Sequence, residues 1–212
     1  MSNHYRNYTL DLQRTFGLLP WPLIEEMVDQ LHGARLSGKQ LFIIGNGGSA
    51  ATASHFACDL GKNIIVPHLP RLRVHSLTDN MPFFSACAND YGYESVFAEQ
   101  LANFIQPQDI VIAISASGNS PNILRAVNLA RTQAAFTIGW SGYQGGKLAQ
   151  VVDLAIVVKN DCIEQIEDVH LILAHMVTIA LRQAALPANT GMRAVLPAEN
   201  GVPVGLFPVR TS

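Results

Sequence analysis

Five short apolar runs divide the chain: Leu41–Ile44, Val74–Leu77, Ile110–Ile114, Ala135–Ile138 and Leu154–Val158. Most are continuous rather than alternating, as expected of strands covered on both faces in a parallel sheet. Between them lie segments with helical spacing. Trp21–Leu36 sets Ile24, Met27, Val28 and Leu31 on one face. Val96, Leu101 and Phe104 fall in a second such segment, and Leu124, Val127 and Leu129 in a third, after Ser120. A long helix is predicted from Cys162 to Ala185. Strands alternating with helices predict an α/β fold: a doubly wound, five-stranded parallel sheet flanked by helices, with a helical segment at the N-terminus.

No linker interrupts residues 20–185, so 1–185 reads as one domain. The segment Leu186–Ser212 has four prolines, little charge and no periodicity. It reads as an irregular arm that docks on the core or on a partner subunit. A length of 212 residues suits one α/β domain. The net charge of -2 provides no basic field, which argues against nucleic-acid binding by phosphate neutralisation. The polar N-terminus lacks the apolar core of a signal peptide. No apolar run nears the ~20 residues that cross a bilayer, and Ala194–Val209 is broken by Pro197, Pro203 and Pro208. Cys58, Cys87 and Cys162 are widely spaced with no CxxC pair. They read as reduced thiols of a cytoplasmic protein, not as a disulfide framework or a thiolate zinc site.

Two loops carry the chemistry. Gly45-Asn46-Gly47-Gly48-Ser49 follows the first strand and leads into the helical Ala50–Leu60. Glycines let the backbone turn tightly, and the helix start offers N–H groups to an anion. Alone this is a weak signal, since such a stretch is often only a turn. It also fits a dinucleotide fingerprint through Gly45, Gly47 and Ala50. The second loop, Ser115-Ala116-Ser117-Gly118-Asn119-Ser120, follows the third strand, and Pro121 opens the next helix. Any one serine is explained as a helix cap. Three within six residues make a phosphate cradle. Both loops sit at carboxyl ends of strands, where doubly wound sheets bind ligands. A dinucleotide site needs only the first loop plus an acid ~20 residues on, and Asp79 comes late for that. A phosphosugar site explains both loops, so no nucleotide cofactor is expected.

His55 and Asp59 stand four apart and share a helix face. Glu167 and His175 stand eight apart, about 80° apart around their helix, so both can reach one pocket. Two histidines and two carboxylates suit zinc. They equally suit proton transfer in an aldose–ketose isomerisation. The plainer alternatives are solvated helix charges for Asp59 and Glu167 and a core histidine for His55.

The combination of Gly45–Ser49, Asn89-Asp90, the Ser-x-Ser-Gly-Asn-Ser loop and Gly142-x-x-Gly145-Gly146 resembles the sugar isomerase (SIS) domain. Within it, the chain is most similar to the phosphoheptose isomerases, over roughly residues 5–185. The resemblance implies a flavodoxin-like sheet and a homotetramer with active sites at subunit interfaces. It implies conversion of sedoheptulose 7-phosphate to a heptose 7-phosphate. It places the phosphosugar against Asn46, Gly47, Gly48, Ser49, Asn89, Asp90, Ser115, Ala116, Ser117, Asn119, Ser120 and Glu167. It makes Asp59, Glu167 and His175 acid–base groups, and His55, Asp59, Glu167 and His175 the ligands of a zinc ion. The chain departs from the family in three places: Asp59 replaces a glutamate, Glu167 a glutamine and Ala116 a threonine. The first two favour a cation or alter the substrate. Two other readings remain: a non-catalytic phosphosugar-binding or replication-initiator-associating adaptor of the same fold, and a dinucleotide-dependent oxidoreductase.

Overall fold

The computed structural model describes residues 2–184, so the arm expected over 186–212 lies outside the described residues. The chain runs α1 (Ser2–Gly17), α2 (Trp21–Leu36), β1 (Gln40–Gly45), α3 (Gly48–Lys62), β2 (Arg73–Ser76) and α4 (Met81–Tyr91). It continues with a short 3-10 turn at Tyr93–Ser95, α5 (Val96–Ala102), β3 (Ile110–Ser115), α6 (Pro121–Thr132), β4 (Phe136–Gly142), α7 (Leu148–Val151), β5 (Leu154–Val158) and α8 (Ile163–Ala184). The five strands form one sheet in the order β2-β1-β3-β4-β5, and every pairing is parallel. This is the doubly wound fold that the apolar runs predict.

Alternation along the strands sorts the core into two layers. Leu41, Ile43, Ile112, Ile114, Ile138 and Trp140 face the layer built with α2, α3 and α8. Phe42, Ile44, Val111 and Ala113 face the layer built with α5 and α6. The central strands β1 and β3 are buried at every residue.

The expectation of five buried strands fails at β2. Its residues alternate between exposed and half-buried, because β2 is an edge strand paired only with β1. Its apolar content is local, whereas its place at the edge is a property of the whole sheet.

The helix α1 packs Leu12 and Phe16 against the core layer of α8 and adds polar contacts to α8 itself. Tyr8 OH donates to Asp168 Oδ2 at 2.5 Å, and Gln165 Nε2 donates to the Tyr8 carbonyl at 3.3 Å. The phenol pKa is pushed up to about 12, first because its proton is shared with the Asp168 carboxylate. Arg35 is buried and donates to the carbonyls of Ile64 and Pro70 at 2.9 and 2.8 Å, fastening the connection that leads to β2. No described helix is long and apolar enough to cross a membrane.

Candidate active site

The strand order reverses direction between β1 and β3, and a doubly wound sheet opens a crevice outside the carboxyl ends of the strands there. The two loops singled out in the sequence are the ones that leave β1 and β3 at this point. Topology therefore brings them together without any contact between them being needed beforehand.

In the first loop, Asn46 turns toward protein. Its amide exchanges two hydrogen bonds of 2.9 Å with the amide of buried Asn122, at the start of α6. Tyr93 OH donates to the same Asn46 Oδ1 at 2.9 Å. Asn46 thus ties β1, α6 and the segment after α4 together. Neither Tyr93 nor Asn122 carries a sequence signal, since a lone tyrosine in a turn and an asparagine in a first helical turn are unremarkable. Ser49 is buried, 5% exposed. Gly48 is needed for close approach: a Cβ there would lie 2.6 Å from both carboxylate oxygens of Glu167.

The second loop holds Ser115 and Ser120 with their Oγ atoms 3.4 Å apart, while Ser117 is exposed. Asn119 braces the loop. Its Nδ2 donates to the Ser117 carbonyl at 2.9 Å, and its Oδ1 accepts from Lys147 N at 3.1 Å. Ala116 lends its carbonyl to Gly142 N at 2.8 Å, and Leu148 N donates to the Gly118 carbonyl at 2.9 Å. The segment from Gly142 to Leu148 therefore buttresses the serine loop from behind. Asn89 and Asp90 lie exposed in the last turn of α4, with Asn89 Nδ2 donating to Asp90 Oδ1 at 2.8 Å. At the other end of α4, Ser54 and Thr78 share a 2.9 Å hydrogen bond, and Ser54 Oγ donates to Asp79.

The helices α3 and α8 lie side by side, and each residue of α8 meets α3 at its own level. His175 meets His55, their Nε2 atoms 2.9 Å apart. Asp59 Oδ2 lies 3.4 Å from His55 Nε2 and 3.9 Å from His175 Nε2. Glu167, two turns earlier and roughly 12 Å back along the helix, meets Gly48 instead. The shared face expected for Glu167 and His175 is therefore one face at two levels. Three of the four expected ligands, His55, Asp59 and His175, form a group whose donor atoms lie within 4.8 Å of one another, and Glu167 is outside it.

Zinc bonds of ~2.0–2.2 Å in a tetrahedron separate neighbouring ligand atoms by roughly 3.3–3.6 Å. The observed edges of 2.9, 3.4 and 3.9 Å bracket that spacing, so two imidazoles and one carboxylate fit such an ion after small side-chain shifts. Both histidine side chains are 46% exposed and Asp59 is 15% exposed, so the group faces outward.

Between these two levels of α8, His170 points inward. It is 1% exposed, lies against Trp140, and places Nε2 3.4 Å from the Ser141 carbonyl. Burial holds its pKa down to about 4. The unfolded chain therefore binds a proton that the folded chain refuses between pH 6.5 and 4. This contribution is present above pH 6.5 and is lost as pH falls toward 4. Going from pH 7 to pH 5 should cost wild type about 2 kcal/mol more than His170→Gln. Urea unfolding of both proteins at the two pH values measures it, and equal losses would show that His170 is not the group responsible.

Comparison with known proteins identifies the family. The SIS domain family matches residues 4–142. A phosphoheptose isomerase of Rhodospirillum rubrum is 36% identical over 155 residues, covering 73% of this chain and 82% of its own length. One from Akkermansia muciniphila is 33% identical over 179 residues, covering 84% of this chain and 94% of its own. The solved structure of a phosphoheptose isomerase from Francisella tularensis superposes with a TM-score of 0.80 at 28% identity, over 86% of this chain and 96% of that one. The two loops at the reversal of strand order, the residues around them and these likenesses lead to one conclusion: the chain belongs to the SIS domain family, among the phosphoheptose isomerases.

Proposed function

We propose that the protein interconverts sedoheptulose 7-phosphate and a heptose 7-phosphate. The observation that carries this reading is the meeting of His55, Asp59 and His175 in one outward-facing group, in a chain with phosphoheptose isomerase relatives. An adaptor that only holds a partner has no use for that convergence. The phosphate lies on Ser115, Ser117 and Ser120 at the start of α6, with Ser49 behind the first loop. Asn89 and Asp90 reach sugar hydroxyls from the end of α4.

The reaction moves one proton between neighbouring carbons. A base removes a proton from C1 of the ketose while the carbonyl oxygen at C2 gains one, forming the enediol. The O1 proton then leaves as C2 is protonated, giving the aldose. Asp59, Glu167 and His175 are the groups for these transfers. As the other use of the group, His55, Asp59 and His175 would hold a zinc ion, which would polarise sugar oxygens.

Ser117→Ala tests the anion loop. A charge-assisted hydrogen bond is worth about 1.5–3 kcal/mol, so the variant should raise KM about ten- to over a hundredfold. Unchanged KM in both Ser117→Ala and Ser120→Ala would overturn the pocket assignment.

The reading includes a homotetramer with active sites at subunit interfaces, acting in the cytoplasm. Supporting the assembly, α2 and α8 flank a largely apolar cleft of about 250 Å³ lined by Trp21, Ile24, Val28, Met176, Val177 and Ala180, with Glu25 and Asp29 also in its lining. Trp21 and Ile179 are 42% and 45% exposed beside it. Light scattering at micromolar concentration should report near four times the 23.0 kDa chain mass, and a monomer would sink the shared site.

A further inference from the structure

Ser141 is the penultimate residue of β4 and is 1% exposed. Among the described residues its Oγ has no hydrogen-bond partner. A buried hydroxyl without a partner destabilises the fold that contains it, so its position invites a reason.

Strand alternation says where it points. Ile138 and Trp140 enter the layer of α2, α3 and α8, so Ser141 faces the other layer, where α6 begins. Its register partner on β3 is Ser115. Ile112 and Ile114 enter the same layer as Ile138 and Trp140, so Ser115 and Ser141 share a face on adjacent strands, whose backbones run about 4.8 Å apart. A Cβ on Gly145 would lie 3.7 Å from Ser141 Oγ. The hydroxyl therefore lies under the glycine loop that buttresses the serine loop.

A hydroxyl has one proton and two lone pairs. Ser115 and Ser120, with Oγ atoms 3.4 Å apart, share one proton between them. The dianionic phosphate of a sugar phosphate only accepts. When one arrives, both serines must donate outward, and the lone pairs of Ser115 are left for another donor. We propose that Ser141 is a positioning residue of the anion site: its O–H donates to Ser115 Oγ when phosphate binds, turning the Ser115 O–H onto the phosphate. This rests on the reading of Ser115–Ser120 as the anion site. It explains why a strand end keeps a buried hydroxyl that has no hydrogen-bond partner among the described residues.

The test is a double-mutant cycle on the full chain with Ser141→Ala, Ser115→Ala and both together. Inorganic phosphate is titrated at equilibrium, KM and kcat are measured with sedoheptulose 7-phosphate, and Tm is recorded with and without phosphate. Ser141→Ala should weaken phosphate binding and raise KM about two- to tenfold with kcat unchanged. Its ligand-free Tm should be unchanged or higher, because an unpartnered buried hydroxyl has been removed. In the Ser115→Ala background it should have no further effect. Full phosphate affinity in Ser141→Ala, when Ser115→Ala has lost it, overturns the role of Ser141 alone. So does an equal loss in both backgrounds, or a lower ligand-free Tm with kcat and KM both impaired. Equal phosphate binding by wild type and Ser115→Ala overturns the anion-site reading as well.

Discussion

His175→Ala is expected to lower turnover of sedoheptulose 7-phosphate about 10²–10⁴-fold, the usual contribution of a positioned acid–base group. Its side chain is 46% exposed and its contacts there are His55 and Asp59, so the loss should appear in kcat and not in folding. Asp59→Asn, which keeps the size of the residue and its acceptor toward Asn63 Nδ2 at 2.7 Å, should fall in the same range. Near-wild-type turnover in both variants would remove the group from the mechanism. Metal analysis of untagged protein separates its two uses. Zinc in wild type that is lost in His55→Ala assigns the group as a ligand set. Metal-free protein that is fully active in chelator leaves it a proton-transfer role alone.

Gly118→Ala should lose several degrees of Tm and raise KM at least tenfold. Gly118 has φ +63°, and a Cβ there would lie 2.2 Å from the Gly145 carbonyl oxygen. The left-handed conformation costs an L-residue about 1–2 kcal/mol. The obstacle is backbone, so the serine and glycine loops must also part. Parting breaks the 2.9 Å bond from Leu148 N to the Gly118 carbonyl. At about 2–4 °C per kcal/mol for a chain of this size, a total near 3 kcal/mol is about 6–12 °C. Gly33→Ala is the contrast. It sits within α2 with nothing within 4 Å of the added Cβ, and should gain about 0.5–1 kcal/mol. A Gly118→Ala protein with wild-type Tm and KM would mean that the two loops do not hold each other.

Local sequence pattern was enough to locate the five strands, the longer helices between them and the chemistry of the two loops, but not α7 or the 3-10 turn. Continuous apolar runs at Ile110–Ile114 and Leu41–Ile44 marked the central strands, and Pro121 marked the start of α6, because burial period and φ restriction are local properties. The serines of 115–120 and the His55–Asp59 pair were likewise legible, since their spacing alone puts them on one loop or one helix face. Tertiary structure decided what depends on neighbours distant in sequence. It put β2 at an edge and exposed it, although Val74–Leu77 reads like its partners. It set Glu167 against Gly48 and His175 against His55, because helical angle is encoded in spacing but the level at which two helices meet is not. It tied Asn46 to Asn122 and Tyr93. And it laid Ser141 beside Ser115, a neighbour 26 positions away in the chain that only the register of two parallel strands brings alongside.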